Sequence, residues 1–265
     1  MTIRVSCLGD SITRAQHSVD YLDLLGARHR PGEVRAQRFG VNRDFAYNLL
    51  QRLDEVVASP ADVITVLIGT NDARASLPGF PVEKVMRSKR LPTTPSAAWF
   101  QECLGRVVER LRSATDAAIG LLSLPVLGQD PAAAPAQASQ AYSRMIAEIA
   151  AGHGVAYLPL HERQLEELRR DVPARVPYEE LTVAGYLGTL AQRKLLRRSL
   201  DAISRRRGLL LTTDHIHQNS RGAALIAEVI DVGMLQSAVA DGGRRGQLPS
   251  LAARVTAPVP TRPGR

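Results

Sequence analysis

The sequence predicts an α/β fold, a parallel β-sheet with helices on both faces, and three observations support it. Short apolar runs alternate along the chain with longer stretches of helical periodicity, as in strand–helix–strand crossovers. The clearest apolar run, Asp62–Ile68, is continuous and β-branched, as expected of a strand buried on both faces. The 265 residues, 45% hydrophobic and 23% charged, suffice for one large domain with its own core.

Five strands and four main helices are expected. The strands are Ile3–Leu8, Val34–Phe39, Asp62–Ile68, Ala118–Leu124 and Val155–Leu158. The helices are Phe45–Val57, Ser96–Ser113, Ala138–Ala151 and Arg221–Val239, each with an apolar face. Together these elements predict a domain over residues 1–239.

Three segments depart from this alternation. Pro81–Pro95 is basic, contains three prolines and predicts a long surface loop. Residues of about 170–207 predict an insertion, whose second part, about 187–207, has the pattern of a basic amphipathic helix. Such helices are usually solvated; the sharper hypothesis is a lid, or a surface for weak interfacial contact that delivers an acylated or anionic substrate. Residues 240–265, rich in Gly, Pro and Arg, predict a disordered tail.

Charge and composition exclude several classes of protein. Half of the net charge of +8 lies in the tail, and only 4% of residues are aromatic, so no nucleic-acid partner is expected. Cys7 and Cys103 fall inside predicted elements, which indicates two buried thiols in a reducing compartment. No apolar run reaches transmembrane length, and the chain enters a strand without a signal peptide, so a cytoplasmic location is predicted.

Polar residues cluster directly after the predicted strands, where ligands bind in open α/β sheets. Gly9–Thr13 follows the first strand, Gly40–Asp44 the second and Gly69–Asp72 the third, and Asp214–Asn219 precedes the last helix. These loops are far apart in sequence, but they can converge at one edge of the sheet.

The loops contain the groups that acyl transfer requires. Ser11 needs a base to become a nucleophile, and His217 can serve because imidazole titrates near neutral pH. Asp214, three residues earlier, can reach the other ring nitrogen and fix its tautomer. The Ser11 amide, an amide of the loop after the second strand and the Asn71 side chain can donate to an oxyanion.

Simpler interpretations exist for the same residues. Asp10–Ser11 could only cap a helix, and Gly69–Asp72 could be an ordinary turn. His215–His217 could supply two ligands of a metal site, but no matching His or Cys set follows, so no metal is expected. Asp10 and Asp72 are expected to be structural, accepting loop amides. The remaining histidines, His17, His29, His153 and His161, are expected at the surface or the edge of the core.

The four loops resemble, in order and placement, the four conserved blocks of the SGNH (GDSL-type) hydrolase family over residues 3 to about 235. The resemblance implies a flavodoxin-like three-layer sandwich with strand order 2-1-3-4-5 and hydrolysis of an ester or thioester without a cofactor. It also implies that Ser11 is the nucleophile, His217 the base and Asp214 its orienting partner, with Asn71 and the Ser11 amide in the oxyanion hole.

Three positions depart from the family pattern. Arg43 stands before Asp44, where the family usually has the glycine whose amide faces the oxyanion. The Arg43 amide can still donate, so it is the expected third donor, with Gly40 as the fallback. His215 stands where glycine is common after the aspartate, and Gln218 where proline is frequent after the histidine.

The predicted function is that of a carboxylic ester hydrolase, of the esterase or lipase type, acting on a small-molecule or lipid-like acyl ester through an acyl-enzyme on Ser11. One alternative is an O-acetyl carbohydrate deacetylase or an acyltransferase with the same triad. Another is a non-catalytic binding module on the same fold.

Overall fold

The structure is a computed structural model that describes residues 2–171, 176–180, 185, 188–189 and 197–236. Its strands are β1 (Ile3–Gly9), β2 (Val34–Gly40), β3 (Val63–Leu67), β4 (Ala118–Leu122) and β5 (Ala156–Leu158). They form one sheet in the order β2-β1-β3-β4-β5, and every neighbouring pair is parallel. The predicted fold class and strand order are confirmed.

Burial along the strands follows their place in the sheet. β3 lies at the centre between β1 and β4, and all five of its residues are buried, which accounts for its continuous apolar sequence. β2 lies at an edge of the sheet, and none of its first five residues is fully buried: two are half-buried and three are exposed. That position explains why its apolar run is the weakest of the five.

The helices lie on both faces of the sheet. They are α1 (Ser11–Arg14), α2 (Tyr21–Gly26), α3 (Ala46–Leu50), α4 (Leu53–Val57), α5 (Thr70–Ala75), α6 (Val82–Lys89), α7 (Ala97–Ala114), α8 (Ala134–His153), α9 (Leu160–Arg170), α10 (Leu200–Arg206) and α11 (Ser220–Ile230), the last continuing as a π-helix, Asp231–Leu235.

Alternation along β3 divides the core into two layers. Val63 and Leu67 pack into one apolar cluster with residues of α2, α9 and α11. Ile64 and Val66 point the other way, into a cluster with residues of α3, α4, α7 and α8. This period of two places one helical layer on each face and makes the predicted three-layer sandwich.

The segment 45–57 was expected to be one helix but forms two, α3 and α4, separated at Gln51–Arg52. The Arg52 guanidinium donates to the carbonyl oxygens of Gly9 (2.9 Å) and Phe39 (3.1 Å), at the ends of β1 and β2. The break lets this side chain reach the edge of the sheet.

The expected surface loop at Pro81–Pro95 is wrong, because residues 82–89 form α6. Pro81 occupies the N-cap, where the missing amide hydrogen costs nothing, and the next proline comes only after the helix has ended. Val85 anchors α6 in a small apolar cluster with Phe45 and Leu91.

The insertion is described only in part. α10 belongs to the predicted basic helix about 187–207, and its Leu200 and Ile203 are buried, whereas residues 187 and 190–196 lie outside the described residues, as does the predicted tail 240–265. Interfacial contact therefore stays a prediction. Cys7 and Cys103 are buried and not disulfide-bonded, as predicted. Among the helices described here, none has the length and apolar character needed to cross a bilayer.

Candidate active site

Ser11, His217 and Asp214 form one hydrogen-bonded chain at the carboxyl edge of the sheet. The His217 Nε2 atom lies 3.0 Å from the Ser11 Oγ atom, across 206 residues of sequence. The His217 Nδ1 atom lies 2.8 Å from the Asp214 Oδ2 atom. His217 and Asp214 are buried, whereas Ser11 is partly exposed, so the chain opens outward at the serine hydroxyl.

The start of α1 positions Ser11. α1 begins directly after β1, and Asp10 caps it by accepting a hydrogen bond of 2.9 Å from the Ile12 amide. Gly40, at the end of β2, lies against this turn so closely that a Cβ there would overlap the Arg14 amide nitrogen. Asp10 therefore caps α1, and the cap places the neighbouring Ser11 hydroxyl beyond the end of the strand.

The turn that contains Asp214 and His217 is closed by its own residues. The Asp214 Oδ1 atom accepts hydrogen bonds from the backbone amides of Ile216 (3.2 Å) and His217 (2.8 Å). His215 lies within this turn with φ of 68°, in the left-handed region, where the family commonly has glycine. The His215 carbonyl accepts a 2.9 Å hydrogen bond from the Gly128 amide, and its ring packs against Tyr178.

The Asp214 carboxyl stays ionised within this turn. Burial raises its pKa, but the charge of His217, its hydrogen bond and the two backbone amides outweigh burial and lower the pKa from 3.8 to about 2. An ionised Asp214 accepts a hydrogen bond from His217 Nδ1, which leaves Nε2 to accept a proton from Ser11.

Asn71 is held by three parts of the chain. It lies in α5, directly after β3, and its Nδ2 atom donates to the Asp44 carbonyl (3.0 Å) and to Asp10 Oδ2 (3.3 Å). Its Oδ1 atom accepts a 2.9 Å hydrogen bond from Arg74, which also pairs with Glu180. The Arg74 contact fixes the orientation of the amide group, because only the oxygen can accept from a guanidinium.

The loop after β2 carries Arg43 in a left-handed conformation, with φ of 62°, at the position where the family has glycine. The Arg43 side chain is exposed, and its amide donates to no acceptor among the described residues. The next residue, Asp44, is buried and pairs with Lys89 (2.6 Å) and Arg52 (2.8 Å). The fallback donor, Gly40, is the last residue of β2 and pairs in register with Gly9.

Sequence reasoning placed His17 and His161 wrongly, because both are buried. The His17 ring packs against the His217 ring at a centroid distance of 5.5 Å. The segment that carries it folds back onto residue 218, where the Gln218 amide donates to Ser18 Oγ and the Val19 amide to the Gln218 carbonyl. A proline at 218 could not make the first bond, but no local pattern foretold this long-range contact.

Two further carboxyl groups are buried beside the site. Burial raises the pKa of Asp10 to about 6 and that of Asp72 to about 7. Asp72 Oδ2 accepts a 3.2 Å hydrogen bond from the Ala46 amide, so both acids accept loop amides, as expected. Within the described part of the chain, no three His, Cys, Asp or Glu residues lie together as metal ligands would.

A parallel sheet whose carboxyl edge brings serine, histidine and aspartate into hydrogen-bonding contact has the arrangement of a serine hydrolase. A family model agrees: the GDSL-like lipase/acylhydrolase family matches residues 7–225. The chain belongs to that family and is a carboxylic ester hydrolase, as the sequence predicted.

Solved structures share the fold at low identity. An acetyl xylan esterase, AlAXEase, superposes with a TM-score of 0.64 at 18% identity, covering 88% of this chain and 100% of its own. Axe2, an acetylxylan esterase from Geobacillus stearothermophilus, gives 0.61 at 16%, covering 87% and 93%. LAE5, described as an α/β hydrolase enzyme from the metagenome of Lake Arreo, Spain, gives 0.60 at 17%, covering 88% and 96%. No curated protein matches the sequence significantly.

Proposed function

We propose that the chain hydrolyses carboxylic esters through an acyl-enzyme on Ser11. The observation that carries this proposal is the unbroken hydrogen-bonded chain from Ser11 through His217 to Asp214. Ser11 Oγ attacks the carbonyl carbon while its proton passes to His217 Nε2. The bond to the leaving alkoxide then breaks as His217 returns the proton to it. Water attacks the acyl group by the same proton path, releasing the acid and restoring Ser11.

The oxyanion of each tetrahedral intermediate would be bound by the amides of Ser11 and Arg43 and by the Asn71 side chain. The Arg43 amide has no acceptor among the described residues, so it can donate without breaking a bond. Asn71 would exchange its longer hydrogen bond, the 3.3 Å contact with Asp10, for the oxyanion. Losing one such donor typically costs about 100- to 1000-fold in rate. No step of this route requires a cofactor.

A second candidate is removal of acetyl groups from carbohydrates. Two of the structural neighbours are described as acetyl xylan esterases, and the chain covers nearly their whole length. The same triad would act on a sugar-bound acetyl group, with the sugar hydroxyl as leaving group. Transfer of the acyl group to an alcohol would need only a different acceptor in the second step.

The substrate class is tested by hydrolysis of nitrophenyl esters from acetate to palmitate, together with acetylated xylo-oligosaccharides. Ser11→Ala should reduce every hydrolytic rate by at least about 1000-fold, because no other group can form the acyl-enzyme. Ser113→Ala, at an exposed serine in the last turn of α7, is the matched control and should retain activity. Comparing products in water and in water–alcohol mixtures separates hydrolysis from transfer.

A fluorophosphonate probe tests the nucleophile directly. Labelling of the wild type that disappears in Ser11→Ala but persists in Ser113→Ala supports an enzyme acting through Ser11. A well-folded wild type that neither reacts with the probe nor hydrolyses any ester would contradict the proposal and favour a binding module.

A further inference from the structure

Lys89 bridges the two sides of Arg43, the residue whose amide is proposed to face the oxyanion. The Lys89 Nζ atom donates to the Asn42 carbonyl at 2.9 Å and to Asp44 Oδ1 at 2.6 Å. One ammonium group therefore holds the peptide before Arg43 and the side chain after it. The Lys89 side chain is only 16% exposed, so water competes little for these bonds.

The fold brings Lys89 to this loop by packing α6 against it. Val85 of α6 and Leu91, just beyond its end, form an apolar cluster with Phe45, the residue after Asp44. Asn48 adds a 2.9 Å hydrogen bond from its side chain to the Lys89 carbonyl. The end of α6 is thus anchored on both the apolar and the polar side of the loop.

Asp44 is the point where this anchor meets the rest of the site. Its other carboxylate oxygen accepts from Arg52, whose guanidinium also binds the ends of β1 and β2. Its carbonyl accepts from Asn71, a second proposed oxyanion donor. A shift of Asp44 would therefore move both donors relative to Ser11.

The contacts of Lys89 are important because Arg43 has a left-handed backbone conformation, which is unfavourable for residues that have a Cβ atom. A left-handed φ is unfavourable for a residue with a Cβ, whereas glycine adopts it without a steric penalty. Residues held in such regions persist only when surrounding contacts enforce them. The turn around Arg43 is closed by one backbone hydrogen bond, from the Asp44 amide to the Val41 carbonyl at 3.3 Å. Lys89 is the side chain that binds both the peptide before Arg43 and the carboxylate after it.

We propose that Lys89 is a positioning residue, which holds the Arg43 peptide in its left-handed conformation and so replaces the glycine that the family has at this place. The inference rests on the proposed function, because it assigns Lys89 a part in ester hydrolysis at Ser11. Lys89 itself does not touch the substrate. Its effect reaches the reaction through the direction of the Arg43 amide.

The test is a double-mutant cycle between residues 89 and 43, measured as kcat and KM for nitrophenyl acetate. Lys89→Met should lower kcat about 10- to 100-fold, somewhat less than removal of a whole oxyanion donor, and should leave KM within about threefold, since the donor acts mainly in the transition state. In the Arg43→Gly background, the same change should lower kcat less than threefold, because glycine adopts the left-handed conformation without the strain that Lys89 offsets for arginine.

Two controls separate positioning from simpler effects. Lys84→Met removes the ammonium of an exposed lysine on the same helix and should leave kcat unchanged. Lys89→Arg keeps the charge and the donors and should recover part of the lost rate. Thermal unfolding of every variant shows whether it is folded at the assay temperature; if Lys89→Met is not, the cycle is run with Lys89→Gln.

Equal losses of kcat in both backgrounds would overturn the proposal, since they would mean that Lys89 acts by charge or by general stability. Full activity in Lys89→Met would overturn it as well. In that case the proposed function would still stand, provided that the probe labels Ser11 and the wild type hydrolyses esters. A wild type inactive towards all esters would instead remove the proposed function, and this inference with it.

Discussion

Two loops of the site contain a left-handed residue where the family commonly has glycine, and different kinds of contact support the two loops. His215 lies in a turn closed by its neighbour, because Asp214 accepts the amides on the other side of it. Arg43 lies in a turn that the Asp44 amide closes onto the Val41 carbonyl, and other elements hold the same turn through Lys89 of α6 and Arg52 of the α3–α4 connection. In the first loop the carboxylate beside the left-handed residue binds amides of its own turn, whereas in the second it binds cations 8 and 45 residues away.

The two supporting aspartates, Asp214 and Asp44, differ in how directly they take part in the proposed reaction. In the first loop the supporting carboxylate is also the hydrogen-bond partner of His217, the proposed base, so one group supports the turn and takes part in the proposed reaction. In the second loop the supporting carboxylate, Asp44, is buried and paired with two cations. It affects the proposed reaction only by positioning the oxyanion donors. Changing each aspartate should therefore damage different properties of the protein.

The largest effect is expected from Asp214→Asn. The asparagine oxygen can still accept the two loop amides, but its NH₂ group faces His217 Nδ1 and favours the wrong tautomer. We expect kcat to fall by about 10³- to 10⁴-fold, with a loss of unfolding free energy of about 1–3 kcal/mol, since hydrogen bonds to a charged group are replaced by weaker ones. Steady-state kinetics and chemical denaturation measure the two quantities. A variant with near-normal kcat would contradict the assigned role of Asp214.

Acidification should affect both the reaction at His217 and the stability of the turn that contains Asp214. Protonated His217 cannot accept the Ser11 proton, so kcat/KM should decline on the acid side. The folded pKa of Asp214, about 2, lies below its ordinary 3.8. Its stabilising contribution is therefore complete above pH 3.8 and is lost as the pH falls towards 2. A flat kcat/KM from mildly acidic to neutral pH would count against His217 as the base.

In the second loop, Asp44→Asn should reduce stability more than Asp214→Asn does. It leaves Lys89 and Arg52 partly buried without their carboxylate, and breaking such pairs from one side costs about 3 kcal/mol or more. Denaturant unfolding at neutral pH tests this expectation. If both aspartate variants lost equal stability, the contrast between a local and a long-range support would be wrong.

The smallest effects are expected where glycine replaces the left-handed residues themselves. Arg43→Gly should change the unfolding free energy by less than about 1 kcal/mol, because relief of strain and the greater freedom of the unfolded chain oppose each other. His215→Gly should cost about 1 kcal/mol more, since it also removes the ring contact with Tyr178. A reversed order of the two values would show that His215 is the more strained residue.

The loops of the candidate site could be predicted because three of them follow predicted strands and the fourth precedes the last predicted helix. β3 has its apolar run because both of its faces are buried, and the polar residues after such strands meet at one edge of the sheet. Ser11 and Asn71 are predicted by their place after β1 and β3, and His217 by its place before the last helix. The order of the strands came from the resemblance of these blocks to a family, not from the pattern itself.

Helix α6 and the burial of His17 could not be predicted in this way. The prolines at 81 and 92 suggested a loop, although they only bound a helix whose single buried side chain, Val85, gives a weak pattern. His17 is buried because its segment pairs with Gln218 across some 200 residues. Neither contact leaves a trace in the local sequence, because the partners meet only after the sheet has formed.

The amino-acid sequence by itself determined the α/β class, the strand positions and the types of catalytic groups, because periodic burial and short-range bonds depend on neighbouring residues. Only the tertiary structure decided how Arg43 is supported in the place of glycine, since Lys89 and Arg52 reach Asp44 from other elements. Contacts of that kind depend on how the helices pack onto the sheet. The local sequence of either segment does not predict them.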